Sequence, residues 1–291
     1  MKPLKTPALA AAALLAASPA AAETVELTLT NLSPEGGLSS TPVWVGFHDG
    51  ASFDLFDTGA AASEGLERIA EDGTFAAIAQ EFGAATGGAG LGGVVTAPGG
   101  FAGAPVFEPG ESVTTTFDVD AGSQRFLSLA AMLLPSNDFF FGTDEALELF
   151  DADGNATGPV SITFGRGDIL DAGTEANTEL DAAFLNQAGP DEGQATDGVI
   201  TLAEGFIGSV GGPAAGPNGE AGSVLGGTAE SGAFLDPVLA DFTAPGFEGF
   251  FRLEVRVVED PAGPTAVVPS PSAAAAGLLC LAGGLARRRR G

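Results

Sequence analysis

The chain has 291 residues, including 44 glycines, a single histidine, a single cysteine and no tyrosine. Its 38 acidic residues outnumber the 11 basic ones and give a net charge of −27, so nucleic acid and anionic membrane surfaces are poor partners on electrostatic grounds. The one cysteine, Cys280, stands near the C-terminus, which excludes disulfides, zinc fingers and thiol catalysis from the rest of the chain.

The N-terminus has the three parts of a secretory signal peptide. Lys2 and Lys5 are positively charged, an apolar stretch runs from Ala8 to Ala17, and Ala20–Ala22 supply small residues for cleavage. The apolar stretch is too short to anchor the chain in a membrane. We therefore predict a signal peptide over residues 1–22 and a secreted or cell-envelope location, with an N-terminal helix of the fold as the alternative.

Alternation of apolar and polar residues predicts strands along most of the chain after residue 22. The segments are Thr24–Leu32, Pro42–His48, Ser112–Val119, Arg125–Leu134 and Phe250–Glu259. We expect the third and fourth segments to pair through the short turn between them. Two further strands, residues 146–150 and 159–164, flank a loop rich in aspartate, glycine and asparagine, which predicts a hairpin connection.

Helical spacing occurs in one early connection. Ser63 is a candidate N-cap ahead of Leu66, Ile69 and Ala70, and a second short helix is expected after Gly73. Residues 87–105 and 208–227 are rich in glycine, alanine and proline and predict long surface loops. Short strands separated by turn residues, without a βαβ rhythm, favour one all-β domain over residues 23–262. Its predicted architecture is an antiparallel β-sandwich with one or two short helices in an early connection.

The C-terminal segment, residues 263–291, combines a Val-Pro-Ser-Pro-Ser stretch, 14 small or apolar residues and the cluster Arg287–Arg290. The apolar run is short against the ~20 residues of a stable membrane span. The order resembles the PEP-CTERM class of bacterial sorting signals, with Ser270 where that class usually has glutamate. This resemblance implies processing by an exosortase-type enzyme and only transient membrane contact. A permanent single-span anchor is the alternative.

Removal of both ends makes the remaining domain more acidic. Residues 23–262 keep five arginines, no lysine and all 38 acidic residues, a formal charge of −33. Cations are therefore favourable partners for this domain. Solubility or salt adaptation explains the acidity equally well.

Catalytic patterns are scarce, and we predict that the protein is not an enzyme. The single histidine, His48, ends a strand, and neither a Gly-x-Ser-x-Gly elbow nor a phosphate loop occurs. A carboxylate pair for glycoside hydrolysis stays open among 38 acids, but Trp44 is the sole tryptophan, which is poor for a cleft that stacks sugars.

Calcium binding is the better chemical hypothesis, because Ca²⁺ takes six to eight oxygen ligands gathered from loops. The loop that begins at Asp151 starts like an EF-hand but has Ala156 and Ile162 where glycine and glutamate are required, so it predicts a turn. Asp138 and Asp171 each follow a predicted strand. If those strands are neighbours, both aspartates can share one cation, with carbonyl groups and water as further ligands. Asp120 is a weaker candidate, since it lies at the opposite end of a straight strand.

Two motifs carry a family resemblance. The sequence PSNDFFFG, Pro135–Gly142, is followed some thirty residues later by DAGTE, Asp171–Glu175. With SLAAML before the first motif and LTNLSP and VWVGFHDG near the start, they resemble the spondin N-terminal domain in its single-domain bacterial secreted form. Animal members have Pro-Ser-Pro-Asp-Trp-Phe-x-Gly and Asp-Ala-Gly-Thr-Asp at these places. The resemblance extends over most of Glu23–Val258.

The resemblance implies an antiparallel β-sandwich that binds calcium through loop acids. Asp138 and Asp171 are then ligands, and a third acid comes from Asp118 or Asp120, between which the resemblance does not choose. Phe139, Asn137 and Glu175 depart from the animal motif. The cysteine-rich thrombospondin repeats of animal members are absent, so their matrix and receptor functions do not transfer.

The leading hypothesis is a secreted calcium-binding β-sandwich with a non-enzymatic role in the envelope, matrix or adhesion. Its expected partners are the calcium ion, the exosortase-type enzyme and an envelope or matrix polymer. The alternatives are a structural matrix component without metal, in which the loop acids only form hydrogen bonds, and an extracellular hydrolase.

Overall fold

The computed structural model describes residues 22–99, 104–187, 189–190 and 193–258. The predicted signal peptide up to residue 21 and the predicted sorting tail, residues 263–291, lie outside these ranges.

The strands of the described part form two antiparallel sheets, and the labels below follow the chain. The smaller sheet contains β1 (Ala22–Asn31), β5 (Ser112–Asp120), β9 (Val160–Phe164) and β12 (Phe251–Val258). The larger sheet contains β2 (Ser39–Ser40), β3 (Val43–His48), β4 (Leu91–Val95), β6 (Phe126–Leu134), β7 (Phe139–Gly142), β8 (Leu147–Glu148), β10 (Ile169–Asp171) and β11 (Thr201–Leu202). The order is β5-β1-β12-β9 in the smaller sheet and β11-β10-β7-β6-β3-β4 in the larger, where β2 and β8 pair with β6. The predicted all-β antiparallel sandwich is confirmed.

The sandwich core lies between the two sheets. Period-two alternation puts one face of each strand of the smaller sheet inward: Leu27 and Leu29 of β1 and Leu253 of β12 are fully buried, whereas Glu254 is exposed. The facing side of the larger sheet contributes Phe47 and Phe141, among others. Removal of this apolar surface from water is the main stabilising term of the sandwich.

Two short helices cover the other face of the larger sheet. They are α1 (Glu64–Asp72) and α2 (Ala76–Ala85), as the spacing predicts. Ser63 caps α1 by accepting a hydrogen bond from the Leu66 amide at 3.2 Å, and Gly73 ends it with the positive φ of 61° that glycine adopts freely. Trp44 and Phe140 of the sheet pack in one cluster with the helices. Because β6 is buried on both faces, it is apolar along its length rather than alternating.

Two expected strand pairings are wrong. β5 and β6 follow one another along the chain but do not pair: β5 pairs with β1 in the smaller sheet, and β6 pairs with β3 and β7 in the larger. Likewise β8 and β9 belong to different sheets. Each of these turns carries the chain from one layer to the other, although β5 and β9 are the edge strands of the smaller sheet and have one neighbour each.

One predicted surface loop contains a strand. β4 lies within residues 87–105 and pairs with β3, with Gly92 and Gly93 opposite Gly46 and Val45. The sequence analysis predicted a loop here because glycine is depleted in strands. Phe82 and Phe117 lie against the two glycine positions and occupy space that side chains would fill.

Candidate metal centre

Asp138 lies in the turn between β6 and β7. The Ser136 hydroxyl closes this turn by donating to the Leu133 carbonyl at 2.7 Å and accepting from the Phe139 amide at 3.1 Å. The phenylalanines then anchor β7 on both faces. Phe139 and Phe141 belong to the sandwich core, and Phe140 packs edge-on against Phe56 on the helical side, with ring centroids 5.1 Å apart.

Asp171 reaches the same place through the pairing of β10 with β7. Asp171 is opposite Phe139 in this register, and the Ala172 amide donates to the Asp138 carbonyl at 3.1 Å. The sequence hypothesis expected the strand Val160–Phe164 to be the neighbour that brings the two aspartates together. That strand is β9 of the other sheet, so this premise is wrong. A short 3₁₀ turn, Arg166–Asp168, separates β9 from β10.

The Asp138 carboxylate is fully buried and only half satisfied. Its Oδ2 accepts hydrogen bonds from the amides of Thr174 and Glu175 at 2.8 and 3.0 Å and from the Thr174 hydroxyl at 3.3 Å. Its Oδ1 is buried and has no hydrogen-bond partner. A buried anionic oxygen without a donor is costly unless a cation compensates it.

The Asp171 carboxylate is held by its own loop. Oδ1 accepts from the Gly173 amide at 2.8 Å, and Oδ2 accepts from the Asn177 side-chain amide at 2.6 Å. The Asn177 Oδ1 atom is buried and lacks a donor. Asn177 therefore orients Asp171, and its own side-chain oxygen is a further unsatisfied acceptor beside this aspartate.

Glu175 belongs to the same site, although the sequence analysis did not select it as a ligand. Its residue is 5 % exposed, and its Oε2 is a third buried oxygen without a partner. Gly193 covers this side chain so closely that a Cβ at position 193 would lie 2.0 Å from Glu175 Oε1. The available signal was its position in the Asp-Ala-Gly-Thr-Glu motif, where a glutamate stands for the family's aspartate.

Mutual repulsion and burial destabilise the charged forms of these carboxyls. Burial and then the Asp171 carboxylate raise the pKa of Asp138 to about 7, although the amides of Glu175 and Thr174 oppose the rise. Burial raises the pKa of Asp171 as well. Burial, followed by Glu71 and Asp181, raises the pKa of Glu175 to about 8.

A cleft of about 480 Å³ opens onto this site. Asp171, Glu175 and Asn177 line one side of it, and Glu204 adds another acid. Asp138 is not among the residues that line the cleft, although its neighbour Phe139 is. Water can therefore reach the carboxylates of Asp171 and Glu175 through the cleft.

Asp120 does not join Asp138 and Asp171. It ends β5, at the start of the turn into β6, and its Oδ1 accepts from the amides of Gly122 and Ser123 at 2.8 and 3.0 Å. β6 is a strand of nine residues that lies between Asp120 and Asp138 in the chain. Its length, roughly 25–30 Å, keeps the two aspartates at opposite ends of the strand. Asp118 is an exposed residue of β5 that accepts from the Thr24 hydroxyl at 3.0 Å.

The loop at Asp151 is a closed turn. Oδ1 of Asp151 accepts from the amides of Asp153 and Asn155, both at 2.9 Å. Hydrogen bonds from the Asn155 side chain, and then from its backbone amide, lower the pKa of Asp151. The carboxylate is occupied by its own turn, as the sequence analysis expected.

His48 is an interior hydrogen-bonding residue. It is 1 % exposed, its Nε2 lies 3.0 Å from the Ser128 Oγ, and its Nδ1 accepts from the Gly50 amide at 3.1 Å. Because Nδ1 accepts a hydrogen bond, it cannot donate one to an orienting carboxylate. His48 and Ser128 therefore lack the third member of a catalytic triad. Burial lowers the pKa of His48.

The oxygen donors of the acidic site are of the type that a hard cation binds. Three buried oxygens lack hydrogen-bond donors there, and oxygen is the ligand type that calcium requires. In the part of the chain that the structure describes, no three acidic, histidine or cysteine side chains converge closely enough to hold one metal ion by themselves. Asn177, carbonyl groups and water would have to supply the remaining ligands.

Between residues 22 and 258, within the described ranges, no helix has the length and apolar character needed to cross a membrane.

Comparison with known proteins gives one family. No curated protein matches the chain. The family model Spondin_N matches residues 40–191, which is more than half of the chain and includes both acidic motifs. The chain belongs to the Spondin_N family, the family of spondin N-terminal domains.

Proposed function

We propose that this protein is a secreted, non-enzymatic β-sandwich that binds calcium between the β6–β7 turn and the loop after β10. Membership of the spondin N-terminal family supports a secreted, extracellular domain. The observation that carries the calcium proposal is the set of three buried oxygens without donors, on Asp138, Glu175 and Asn177.

Asp138, Asp171 and Glu175 would each contribute to holding the cation, together with Asn177, carbonyl groups and water, because no three such side chains of the described residues converge closely enough to hold it by themselves. A bound Ca²⁺ would supply positive charge where burial and repulsion raise the pKa values of all three carboxyls. The chain's own part is to fix the donors: backbone amides orient Asp138, and Asn177 orients Asp171. Ordering of both loops by the ion would make the cleft side of the domain a rigid surface.

Isothermal titration calorimetry of the purified protein with Ca²⁺ tests the site. We expect Asp138→Asn and Asp171→Asn each to lower the calcium affinity at least about tenfold, because the charge of a ligand is lost. Asp120→Asn is the matched control, since its carboxylate caps a turn at the far end of β6. Unchanged affinity in both site variants would refute the assignment.

Calcium should also raise the melting temperature, because it binds the folded loops and not the unfolded chain. A protein whose melting temperature does not respond to calcium would instead be a structural matrix component without metal.

The wider role that we propose is in the cell envelope, matrix or adhesion of a bacterium. Processing of residues 263–291 by an exosortase-type enzyme, with only transient membrane contact, belongs to the same proposal. Mass spectrometry of the secreted form tests it: the mature protein should begin at Glu23 and should lack Arg287–Arg290. Retention of the arginine cluster would contradict processing of the tail.

A further inference from the structure

β5 is the longest edge strand in the part of the chain that the structure describes. It has nine residues and pairs only with β1, because it ends the order of strands in the smaller sheet. The register with β1 runs from Ser112 to Asp120 without a bulge, and β5 contains no lysine, proline or glycine. Bulges, prolines and lysines are common features that keep a sheet edge from pairing with another chain. β5 has none of these protections.

The even-numbered residues of β5 direct their backbone groups to its open edge. The Glu111 carbonyl, just before β5, accepts a hydrogen bond from the Asn31 amide of β1 at 2.9 Å. Because backbone groups alternate sides along a strand, the odd-numbered residues bond to β1 and the even-numbered ones point away from it. The Asp120 amide agrees with this alternation, since it donates to the Gln124 side chain at 2.9 Å rather than to β1. The residues that point to the open edge within the strand are Ser112, Thr114, Thr116 and Asp118.

The sequence of β5 is complementary to itself about Thr115. In an antiparallel pair centred there, Val113 lies opposite Phe117 of a second copy, which is an apolar pair. Thr114 lies opposite Thr116, so that two hydroxyl groups meet on the outer face. The pairing is isologous, because each of these pairs occurs twice.

The outermost pair of this register joins Ser112 to Asp118 of the second copy, a hydroxyl opposite a carboxylate. β1 already makes pairs of these kinds with β5. The Thr24 hydroxyl donates to Asp118 at 3.0 Å, and the hydroxyls of Thr28 and Thr114 lie 2.8 Å apart. A second β5 therefore offers its twin the same side-chain chemistry as β1 does.

The inner face of this edge is incompletely covered. Val113 and Phe117 are only partly buried, although they pack against the sandwich core, where the Phe117 ring lies 5.2 Å from the Phe47 ring. A second β5 would place its own Val113 and Phe117 beside them and remove more apolar surface from water. The edge thus has both unpaired backbone groups and apolar side chains for a partner strand.

We propose that two copies of this protein form a symmetric dimer through β5, with the two-fold axis at Thr115. The open residues of both copies then make about eight backbone hydrogen bonds, and the two four-stranded sheets become one continuous sheet. A register centred on Thr116 would need the Asp120 amide, which the Gln124 side chain occupies. A register centred on Thr114 would place Phe117 opposite Glu111.

Sedimentation equilibrium over a range of protein concentrations tests the dimer. We expect the wild type to be dimeric at about 100 μM in about 0.5 M sodium chloride, because salt screens the repulsion between two acidic domains. Thr116→Pro removes an amide that points to the open edge and none that bonds to β1, and should raise the dissociation constant at least about a hundredfold. Thr116→Val is the matched control, since it keeps the amide and the β-branched shape, and should stay within about fivefold. A monomeric wild type, or equal dissociation constants of the two variants, would overturn the proposal.

Disulfide formation tests the register. The amide and carbonyl groups of Thr115 point to β1, so the two copies of Thr115 form a non-hydrogen-bonded pair with Cα atoms about 4.5 Å apart, within the range of a disulfide. The two copies of Thr116 are roughly 9 Å apart, which is too far. In a chain with Cys280→Ser, which removes the only native cysteine, Thr115→Cys should form a cross-linked dimer on mild oxidation and Thr116→Cys should not. Cross-linking at position 116 and not at 115 would contradict this register.

Both measurements are independent of the calcium site, whose strands β7 and β10 belong to the larger sheet. If circular dichroism shows that Thr116→Pro does not fold, cross-linking through Thr115→Cys still decides whether β5 pairs with itself. A wild type without a dimer and a Thr115→Cys variant without a cross-link would together show that β5 stays an unpaired edge.

Discussion

Asp138 and Asp171 lie on adjacent antiparallel strands, joined by the hydrogen bond from the Ala172 amide to the Asp138 carbonyl at 3.1 Å. This register places two carboxyls side by side, the buried one of Asp138 and the half-buried one of Asp171, and each has a raised pKa. A fold keeps such a pair only when other interactions outweigh the repulsion or when a cation neutralises it. The aromatic packing of β7 and the amides of Thr174 and Glu175 provide the first, and the proposed calcium site would provide the second.

The raised pKa of Asp138 predicts how stability depends on pH in the absence of calcium. The pKa is about 7 in the folded protein against 3.8 ordinarily, so the folded state binds this proton more tightly than the unfolded state. The stabilisation is fully present below about pH 4 and is lost as the pH rises through about 7. It amounts to at most about 4 kcal/mol of the free energy of unfolding.

Urea unfolding in chelator checks this prediction. The free energy of unfolding should fall more between about pH 5 and about pH 8 in the wild type than in Asp138→Asn, which has no proton to lose. Saturating calcium should remove most of the difference at the higher pH. Identical pH profiles of the two proteins without calcium would contradict the prediction.

Gly193 offers a second way to test the role of Glu175. A Cβ at this position would lie 2.0 Å from Glu175 Oε1, so Gly193→Ala must displace the carboxylate. We expect a calcium affinity lowered at least about fivefold in titration calorimetry, because metal affinity depends on ligand placement. Gly167→Ala is the control, since a Cβ there meets nothing within 4 Å. Equal affinities in both variants would exclude Glu175 from the site.

Glu179 fastens the loop after β10 to two later loops. Its buried carboxylate accepts hydrogen bonds from the amides of Ile207, Ser223 and Val224, at 2.5, 3.1 and 3.0 Å. Glu179→Gln would place an amide group against backbone donors, and we expect it to cost about 2–3 kcal/mol of the free energy of unfolding. The exposed Glu230→Gln should cost nearly nothing. A chemical denaturation series measures both, and a neutral effect at position 179 would show that the three bonds do not hold the loops.

Gly46 and Gly83 form a contrasting pair of glycines in the helix-covered layer. A Cβ at Gly46 would lie 2.5 Å from the Trp44 ring and 3.0 Å from Phe82, whereas Gly83 of α2 has nothing within 4 Å. Gly46→Ala should destabilise the protein by about 1–3 kcal/mol through overpacking. Gly83→Ala should stabilise it by about 0.5–1 kcal/mol through helix propensity. Thermal unfolding distinguishes the two, and a stable Gly46→Ala variant would disprove tight packing at Trp44.

The sequence by itself determined several of the elements and the faces that they bury. Alternation in β1 and β12 identified the inward residues, and the N-cap at Ser63 with the stop at Gly73 located α1. The two acidic motifs pointed to the family that the comparison confirms. These features are local, because the alternation of a strand or the cap of a helix depends on about ten consecutive residues.

Only the tertiary structure decided which strands pair and which carboxyls meet. Period-two alternation fixes the face that a strand buries but not its partner, so β5 and β6 were wrongly joined in one sheet. Asp171 reaches Asp138 through the pairing of β10 with β7, and not through β9, the strand that the sequence analysis considered. The hydrogen bond from the Thr174 amide to Asp138 Oδ2 joins residues 36 positions apart in the chain, and no local pattern records it. Strand pairing and buried charge depend on how layers pack, and packing is a property of the whole fold.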